Sequence, residues 1–365
     1  MKVMTVFGTR PEIIRLSRVI PMLDAHCKHV LVHTGQNYDP NLSDIFLRDL
    51  GVRAPDVHIG IRASSFAQQA SEILVRAAEL LAAHRPDRVL ILGDTNSGLA
   101  AIVAARGGIP VYHMEAGNRS YDDRIPEEIN RRIMDHCSHV LMPYTHRSKD
   151  NLVREGIERQ RIFVIGNPIF EVLESYRDRI DGSDVLARYG VGEREYFLVT
   201  LHRAENVDEP ERLQSFLAGL ARVAERWSKP MIVSVHPRTA DALCRAALAP
   251  SSDRVRMLEP MGFFDFVRLE KSAFCVLSDS GTVQEECCIF GVPNVTLRDV
   301  TERPETIECG SNILSGADVE TIERAVRLAT ETTSRWTPPA EYLEKDVSRT
   351  VAKIVLGYRS AVTVR

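Results

Sequence analysis

Carboxylates that could exchange protons with a ligand stand after apolar segments in the first half of the sequence. Asp94 and Glu115 each come just after such a segment, and Glu127 and Glu128 follow Pro126. Carboxylates of this kind are well suited to general acid–base catalysis. Asp94, Glu127 and Glu128 also have a simpler interpretation, because an aspartate there can cap a helix and acids are favoured at a helix start.

Basic residues at further strand ends favour an anionic ligand. Arg10 follows a turn at Gly8 and could bond to a phosphate. His202 and His236 each follow a strand-like segment of the second half, and each has an arginine close by. A surface arginine and two core histidines are the simpler interpretations. Taken together, these residues predict an anion site.

A helix that begins with small residues would add to this site. Ser280, Gly281 and Thr282 stand at the start of a helical pattern, where backbone N–H groups and the helix dipole could meet a diphosphate. A glutamate about one turn later could accept hydrogen bonds from ribose hydroxyls. A capping box would explain the same residues. The polar loop at 298–305 could close on a ligand or remain solvated.

The composition excludes several functional classes. The 365 residues include 46 Lys and Arg against 50 Asp and Glu, and the net charge of −4 argues against a general nucleic-acid or anionic-membrane surface. No apolar run approaches the about 18–20 residues that span a bilayer. The seven cysteines include no Cys-x-x-Cys pair, which predicts free thiols in a cytoplasmic protein. No His, Cys and Asp set has metal-ligand spacing, so we expect neither a metal nor a cofactor.

Short apolar segments that alternate with amphipathic ones must position these residues. The strand-like segments are continuously apolar, as in parallel strands covered on both faces, and their alternation with helices predicts two doubly wound α/β sheets. We expect domains at 1–168 and 169–340, and the pattern at about 341–365 predicts a C-terminal helix that could pack anywhere. Helices are predicted at 67–84 and 213–227. Strands are predicted at 3–7, 29–33, 88–92, 111–113, 140–142, 162–165, 197–200, 231–235, 274–277 and 292–296.

Eight motifs follow one another along the chain. They are Gly-Thr-Arg-Pro-Glu at 8–12, Gly-Asp-Thr at 93–95, His-Met-Glu-Ala-Gly at 113–117, Pro-Glu-Glu-Ile-Asn-Arg at 126–131, His-Arg-x-Glu-Asn at 202–206, His-Pro-Arg at 236–238, Asp-Ser-Gly at 279–281 and Glu-Arg-Pro-Glu at 302–305. This series resembles the non-hydrolysing UDP-N-acetylglucosamine 2-epimerase family, from residue 1 to about residue 330. The resemblance implies a GT-B fold, with two Rossmann-like domains facing a cleft. It also implies that the C-terminal helix at about 341–365 packs back on the first domain, and that the protein is a homodimer. It also implies a role in the synthesis of cell-surface polysaccharide, such as capsule or O-antigen.

The resemblance also implies a reaction. UDP leaves C1 of the sugar as the C2 proton is removed, a 2-acetamidoglucal forms, and a proton returns to the other face of C2 before UDP adds again. The residues implied in catalysis are Arg10, Asp94, Glu115, Glu128 and His202. The family's functional acid is the second of the Pro-Glu-Glu pair, which is why Glu128 is preferred to Glu127. The residues implied in substrate binding are Arg15, His236, Ser280, Gly281, Thr282, Glu286 and Arg303.

Some positions depart from the family pattern and leave the exact UDP-sugar open. Asn118 replaces the usual Leu, the segment between Glu115 and Pro126 is one residue shorter, and Thr282 replaces a glycine. The first two features resemble a branch that converts UDP-2-acetamido-2,6-dideoxy-L-talose into UDP-N-acetyl-L-fucosamine. A hydrolysing epimerase, a GT-B glycosyltransferase and a non-catalytic nucleotide-sugar sensor are further alternatives. Residues 36–39 differ from the Gln-His-Arg stretch of members with an allosteric UDP-sugar site, so that site is not expected here.

Overall fold

The chain forms two compact units. The first consists of Met1–Ser175 together with the chain from Glu341 onward. The other unit is Tyr176–Ala340. The computed structural model describes residues 1–36, 40–63, 65–331 and 335–358, with the backbone alone at 40–44. Residues 37–39, within the stretch compared above with allosteric sites, and residues 359–365, the end of the predicted C-terminal helix, lie outside the described residues.

The first unit is built on a six-stranded parallel sheet. Its strands are β1 (Lys2–Phe7), β2 (Lys28–His33), β3 (Val57–His58), β4 (Arg88–Leu92), β5 (Val111–Met114) and β6 (Val140–Met142). In space they lie in the order β3-β2-β1-β4-β5-β6. The winding therefore reverses between β1 and β4, and ligands of open α/β sheets bind beyond the carboxyl ends of strands at such a point.

Helices cover this sheet, and the last of them comes from the C-terminal part of the chain. They are α1 (Arg10–Leu16), α2 (Val19–His26), α3 (Pro40–Asp49), α4 (Phe66–His84), α5 (Ala100–Arg106), α6 (Pro126–Cys137), α7 (His146–Arg154), α8 (Pro168–Ser175) and α18 (Val347–Gly357). Helix α18 packs on α2 and α8. The Arg88 guanidinium donates to the carbonyl of Val355, and the Tyr112 hydroxyl donates to the carbonyl of Tyr358 at 2.8 Å. These bonds tie the C-terminal helix to β4 and β5.

The second unit repeats the architecture with a second parallel sheet of six strands. Its strands are β7 (Phe197–Leu201), β8 (Met231–Val235), β9 (Val255–Leu258), β10 (Cys275–Ser278), β11 (Asn294–Thr296) and β12 (Asn312–Leu314). Their order in space is β12-β11-β10-β7-β8-β9. Its helices are α9 (Arg177–Asp181), α10 (Val185–Tyr189), α11 (Ala204–Val207), α12 (Pro210–Trp227), α13 (Pro237–Ala246), α14 (Phe263–Ser272), α15 (Gly281–Phe290), α16 (Pro304–Glu308) and α17 (Val319–Glu331).

The local sequence explains where the long helices begin and end. The Ser65 hydroxyl accepts a hydrogen bond from the backbone N–H of Gln68 and so caps α4, which ends where Arg85 adopts φ +46° just before Pro86. Helix α12 ends in the same way at Ser228, with φ +50°. Both predicted helices are confirmed. Within the described ranges, no helix has the length and apolar character needed to cross a membrane.

The sequence patterns miss three short strands and predict one strand that is wrong. Strands β3, β9 and β12 have two, four and three residues, and β9 reads Val-Arg-Met-Leu at the sheet edge, so no continuous apolar run marks them. At 162–165 the chain forms a single bridge, from Ile162 to Leu141, instead of a strand. The first unit extends to Ser175 because α8 packs on α1 and α18.

The turn that follows β5 requires glycine at position 117. Glu115 has φ +65° and Gly117 has φ +81°, so the backbone passes twice through the left-handed region. A Cβ atom on Gly117 would lie 2.3 Å from the carbonyl oxygen of Ser148 and 2.8 Å from Cγ of Leu152. Both neighbours belong to α7, and the carbonyl is part of its backbone. The turn can therefore lie against α7 only with glycine here.

We expect Gly117→Ala to lower the free energy of unfolding by about 2–4 kcal/mol, because it adds a steric clash to the cost of the left-handed backbone. The matched control is Gly156→Ala in the same unit, where φ is +87° but no atom lies within 4 Å of the new Cβ. This control should lose only about 1–2 kcal/mol. Chemical unfolding followed by circular dichroism measures both. Equal losses would show that the contact with α7 is unimportant.

Candidate active site

Two of the predicted carboxylates share one buried arginine. Arg131 lies on α6, and its Nη2 and Nε are 2.6 Å and 2.9 Å from Oδ2 of Asp94, which follows β4. Its Nη1 is 2.8 Å from Oε2 of Glu128, one turn earlier on the same helix. A single guanidinium thus brings together a carboxylate from a strand end and a carboxylate from a helix.

The Glu128 carboxylate is fully buried and surrounded by hydrogen-bond donors. It accepts from the backbone N–H groups of Ser120 and Tyr121 at 3.0 and 3.2 Å, and from the Ser120 hydroxyl at 3.1 Å. Burial raises the pKa of Glu128, but the Ser120 hydrogen bond and the positive charge of Arg131 outweigh it, so the pKa lies below its usual range. Glu128 is therefore ionised at neutral pH.

Glu115 lies beside this pair, in the left-handed turn after β5. Its Oε2 is 3.7 Å from Nε of Arg15, a buried residue of α1, and its Oε1 accepts a hydrogen bond from Nδ2 of Asn118 at 3.3 Å. The same Oε2 lies 3.9 Å from where a Cβ of Gly93 would be, next to Asp94. Glu115 therefore lies close to the loop that carries Asp94, at the carboxyl ends of the neighbouring strands β4 and β5, and Arg131 joins Asp94 to Glu128.

A further buried carboxylate holds the Glu115 turn in place. Asp135 on α6 accepts from the backbone N–H of Gly117 at 3.1 Å and lies 2.8 Å from Nη2 of Arg119 and 2.9 Å from Nδ1 of His113. The other ring nitrogen of His113, Nε2, donates to the carbonyl of Gly93 at 2.8 Å. Burial raises the pKa of Asp135, but the hydrogen bond with His113 and the charge of Arg119 leave it below its usual range. His113 and Gly117, which stand on either side of Glu115 in the chain, therefore both contact the Asp135 carboxylate.

The first turn of α1 carries a carboxyl group, that of Glu12, to which the sequence patterns assign no role. Glu12 accepts from the backbone N–H groups of Gly8 and Thr9 at 3.0 and 2.8 Å and from the hydroxyl of Thr95 at 3.2 Å. Burial outweighs these bonds and raises the pKa of Glu12 to about 7. The predicted residue Arg10 is the first residue of α1, and its guanidinium carbon lies 5.6 Å from the centre of the Phe46 ring.

In the second unit, a buried aspartate organises the turn that carries His202. Asp279 follows β10 and accepts from the backbone N–H groups of His202 and Arg203 at 2.9 and 2.8 Å. Its Oδ1 is also 3.0 Å from Nδ1 of His202. Burial raises the pKa of Asp279, but the charge and the hydrogen bond of His202 outweigh it and hold the pKa well below the usual range. The ring of His202 lies 5.5 Å from that of His236, between ring centres.

The first turn of α15 has no side-chain cap. Ser280 is the N-cap residue, yet its hydroxyl makes no capping bond and lies instead 3.0 Å from the hydroxyl of Thr282. The capping box considered from the sequence is therefore wrong. A Cβ on Gly281 would lie 2.7 Å from Oε1 of Glu302, which belongs to the polar loop at 298–305. Glycine at position 281 therefore allows that loop to approach the start of α15. Backbone N–H groups at an uncapped helix start favour an anion.

Ion pairs fix the polar loop beside that helix start. Glu302 is buried, with Oε1 3.2 Å from Nη2 of Arg203 and Oε2 2.7 Å from Nη1 of Arg298. The predicted residue Arg303 is also buried, and its Nε donates to Glu285 on α15. The loop is therefore packed and paired, not solvated.

Two other predicted binding residues have clear structural partners. His236 is the N-cap of α13, and its Nδ1 accepts from the backbone N–H of Arg238 at 3.2 Å. Glu286 on α15 is almost fully buried and is hydrogen-bonded to Glu270 of α14. Burial and the neighbouring Glu286 raise the pKa of Glu270 well above its usual range.

The site in each unit is thus assembled from predicted residues and from partners that the patterns miss. The missed ones are Arg131, Asp135, Glu12, Asp279 and Glu302. Two of them carry a local signal in the sequence. Arg131 stands three residues after Glu128 and so shares its helix face, and Glu12 completes a Thr-x-x-Glu capping box with Thr9. Across the described residues, no group of three or more His, Cys, Asp and Glu side chains could hold a metal ion.

The raised pKa of Glu12 predicts a pH dependence of stability. The folded protein keeps a proton on Glu12 up to about pH 7, whereas the unfolded chain loses it near 4.5, so Glu12 lowers stability as the pH rises through this window. Glu12→Gln removes that titration. Its stability relative to the native protein should rise by up to about 3 kcal/mol between about pH 5 and about pH 8.5, measured by chemical unfolding.

Glu79→Gln is the control for this measurement. Glu79 is exposed on α4, and its Oε2 pairs with Arg76 at 2.6 Å, so its relative stability should change by less than about 1 kcal/mol over the same range. If Glu12→Gln follows the control at every pH, then Glu12 does not hold a proton in the folded protein.

Known proteins resemble this chain over nearly its whole length. The family model described as UDP-N-acetylglucosamine 2-epimerase matches residues 22–356. UDP-N-acetylglucosamine 2-epimerase from Methanocaldococcus jannaschii is 42% identical over 347 residues, which cover 93% of this chain and 95% of the relative. UDP-2,3-diacetamido-2,3-dideoxy-D-glucuronate 2-epimerase from Pseudomonas aeruginosa is 36% identical, with 90% and 92% covered.

A solved structure shows the same likeness in three dimensions. It is the crystal structure of the Methanocaldococcus jannaschii UDP-GlcNAc 2-epimerase in complex with UDP-GlcNAc and UDP. It matches with a TM-score of 0.92 at 39% identity, covering 97% of this chain and 99% of that chain. The predicted GT-B fold class is confirmed. From the family model and the relatives together, we conclude that the chain belongs to the UDP-N-acetylglucosamine 2-epimerase family.

Proposed function

We propose that this protein inverts C2 of UDP-N-acetylglucosamine by elimination and re-addition of UDP. The observation that carries the proposal is the placement of Asp94 and Glu115 after the neighbouring strands β4 and β5, with Arg131 joining Asp94 to Glu128 on α6. The named activity of the relatives supports the same reaction.

The proton steps need two groups, one for each face of C2. Asp94 and Glu115 suit them, because their side chains keep 24% and 10% of their surface exposed, whereas Glu128 is fully covered. One carboxylate takes the C2 proton as the bond from C1 to the UDP oxygen breaks, which leaves a 2-acetamidoglucal and UDP. The other carboxyl gives a proton to the opposite face, and UDP adds back to C1. The ionised and fully covered Glu128 suits an electrostatic role in this cluster, not that of an acid.

The second unit would stabilise the negative charge that develops on the departing diphosphate. The uncapped start of α15, at Ser280, Gly281 and Thr282, offers backbone N–H groups and the positive end of a helix dipole. His202 is oriented by Asp279 and could donate from its free ring edge, since only its Nδ1 side faces that carboxylate. We assign His236, Glu286 and Arg303 to the nucleotide as well, and Arg10 and Arg15 to the sugar diphosphate, on the family resemblance.

We also propose a cytoplasmic homodimer that serves the synthesis of cell-surface polysaccharide, such as capsule or O-antigen. All seven cysteines are free thiols, which supports a reducing compartment. The homodimer and the pathway rest on the family resemblance alone. Size-exclusion chromatography with light scattering measures the oligomeric state directly.

Solvent isotope incorporation tests the reaction. The protein is incubated in D2O with UDP-N-acetylglucosamine and, in parallel, with UDP-2-acetamido-2,6-dideoxy-L-talose. Deuterium at C2 of an intact UDP-sugar indicates epimerisation, and the substrate that exchanges faster identifies the specificity. Free sugar with UDP indicates a hydrolysing enzyme, and transfer to an added acceptor indicates a glycosyltransferase. Binding of UDP with no exchange on either substrate would contradict the proposal.

We expect Asp94→Asn and Glu115→Gln each to lower the rate of C2 exchange by about 100-fold or more, because each removes a group that carries a proton. The matched control is Glu127→Gln, which changes the glutamate next to Glu128 and should retain native exchange. UDP binding by isothermal titration should persist in both slow variants. Native exchange rates in both would refute the assigned roles.

A further inference from the structure

Two thiols of the second unit, one on α15 and one at the end of α16, lie in contact. Sγ of Cys288, on α15, is 3.6 Å from Sγ of Cys309, which is the C-cap of α16. Both are free thiols in the structure. A disulfide bond is about 2.05 Å long, so an approach of roughly 1.5 Å between the sulfurs would let one form.

The two sulfurs have different environments. Cys288 is fully buried, whereas Cys309 is only half-buried, so a small molecule can reach Cys309 first. The hydrogen bond from Cys288 lowers the pKa of Cys309, burial opposes this, and the hydroxyl of Ser311, 3.4 Å from Sγ, lowers it further. The thiolate is the reactive form of cysteine, so we expect Cys309 to be the attacking thiol and Cys288 to be the resolving thiol.

The pair joins two helices that already meet at the proposed nucleotide site. Helix α15 carries Glu285, and α16 begins after Arg303, which donates to Glu285. Cys288 is one turn further along α15 than Glu285, and Cys309 ends α16. A bond between the sulfurs would therefore add a covalent link between helices that are held together now by an ion pair.

We propose that Cys309 and Cys288 form a thiol–disulfide exchange site for small disulfides of the glutathione type. The Cys309 thiolate attacks one sulfur of the disulfide, forms a mixed disulfide and releases one small thiolate. Cys288 then loses its proton to solvent and attacks Sγ of Cys309, which expels the second small thiolate. One small disulfide is thereby reduced to two thiols, and the two protein thiols are oxidised to one disulfide.

The test is made on the full chain with oxidised glutathione as the probe. After incubation, remaining thiols are alkylated, and the protein is digested without reductant and analysed by mass spectrometry. The expected product is a pair of peptides joined through Cys288 and Cys309, lighter by two hydrogens than the two thiol peptides. Dithiothreitol should reverse the link. Alkylation of both cysteines at every glutathione concentration would overturn the proposal, whether or not the protein is an epimerase.

Three variants assign the roles of the sulfurs. Cys288→Ser should accumulate a glutathione adduct on Cys309, because the resolving thiol is missing. Cys287→Ala changes the neighbouring buried thiol and should keep the cross-link. Cys137 is the internal control, since it is half-buried like Cys309 and its pKa is raised by burial, so it should remain alkylated as a thiol. A cross-link through Cys287 would contradict the assignment.

Discussion

The first unit depends on the neutralisation of one buried cation, the guanidinium of Arg131. Removing a charged group from water costs several kcal/mol, and this cost is offset only by close, well-oriented partners. Asp94 and Glu128 supply those partners from a strand end and from α6. The loop after β4 and the start of α6 therefore cannot move apart without exposing an unpaired buried charge. This constraint keeps two acidic groups together where mutual repulsion would otherwise separate them.

Both units use buried aspartates to hold a turn that carries a reactive side chain. Asp135 binds the N–H of Gly117 beside Glu115, and Asp279 binds the N–H groups of His202 and Arg203. In each case the aspartate is fully buried and has a pKa below its usual range despite the cost of burial. The side chains proposed to touch substrate are thus oriented by groups that substrate need not contact. Such support holds a site in a productive geometry before the ligand arrives.

The sequence predicts where the chemistry lies better than it predicts how the site is held. Continuous apolar runs locate most strands, and residues after them, such as Asp94 and Glu115, reach the carboxyl ends of one sheet as expected. Spacing along the chain does not reveal that Arg131 contacts Asp94 or that Asp135 contacts His113, because these pairs form between different elements. Short edge strands such as β9 are missed for a related reason. They are defined by their pairing with a neighbouring strand and not by an apolar pattern of their own.

The ionisation of Glu128 tests this account most directly. Carbon-13 NMR of carboxyl-labelled glutamate, with the Glu128 signal assigned through Glu128→Gln, follows its titration in the native protein, in Arg131→Met and in Arg132→Met. The last variant is the control, because Arg132 lies farther away, 3.4 Å from Oε1, and is more exposed. We predict that native Glu128 stays ionised below its usual pKa of 4.5, and that Arg131→Met raises its midpoint by about one unit or more. The same midpoint in all three proteins would contradict a cluster held together by Arg131.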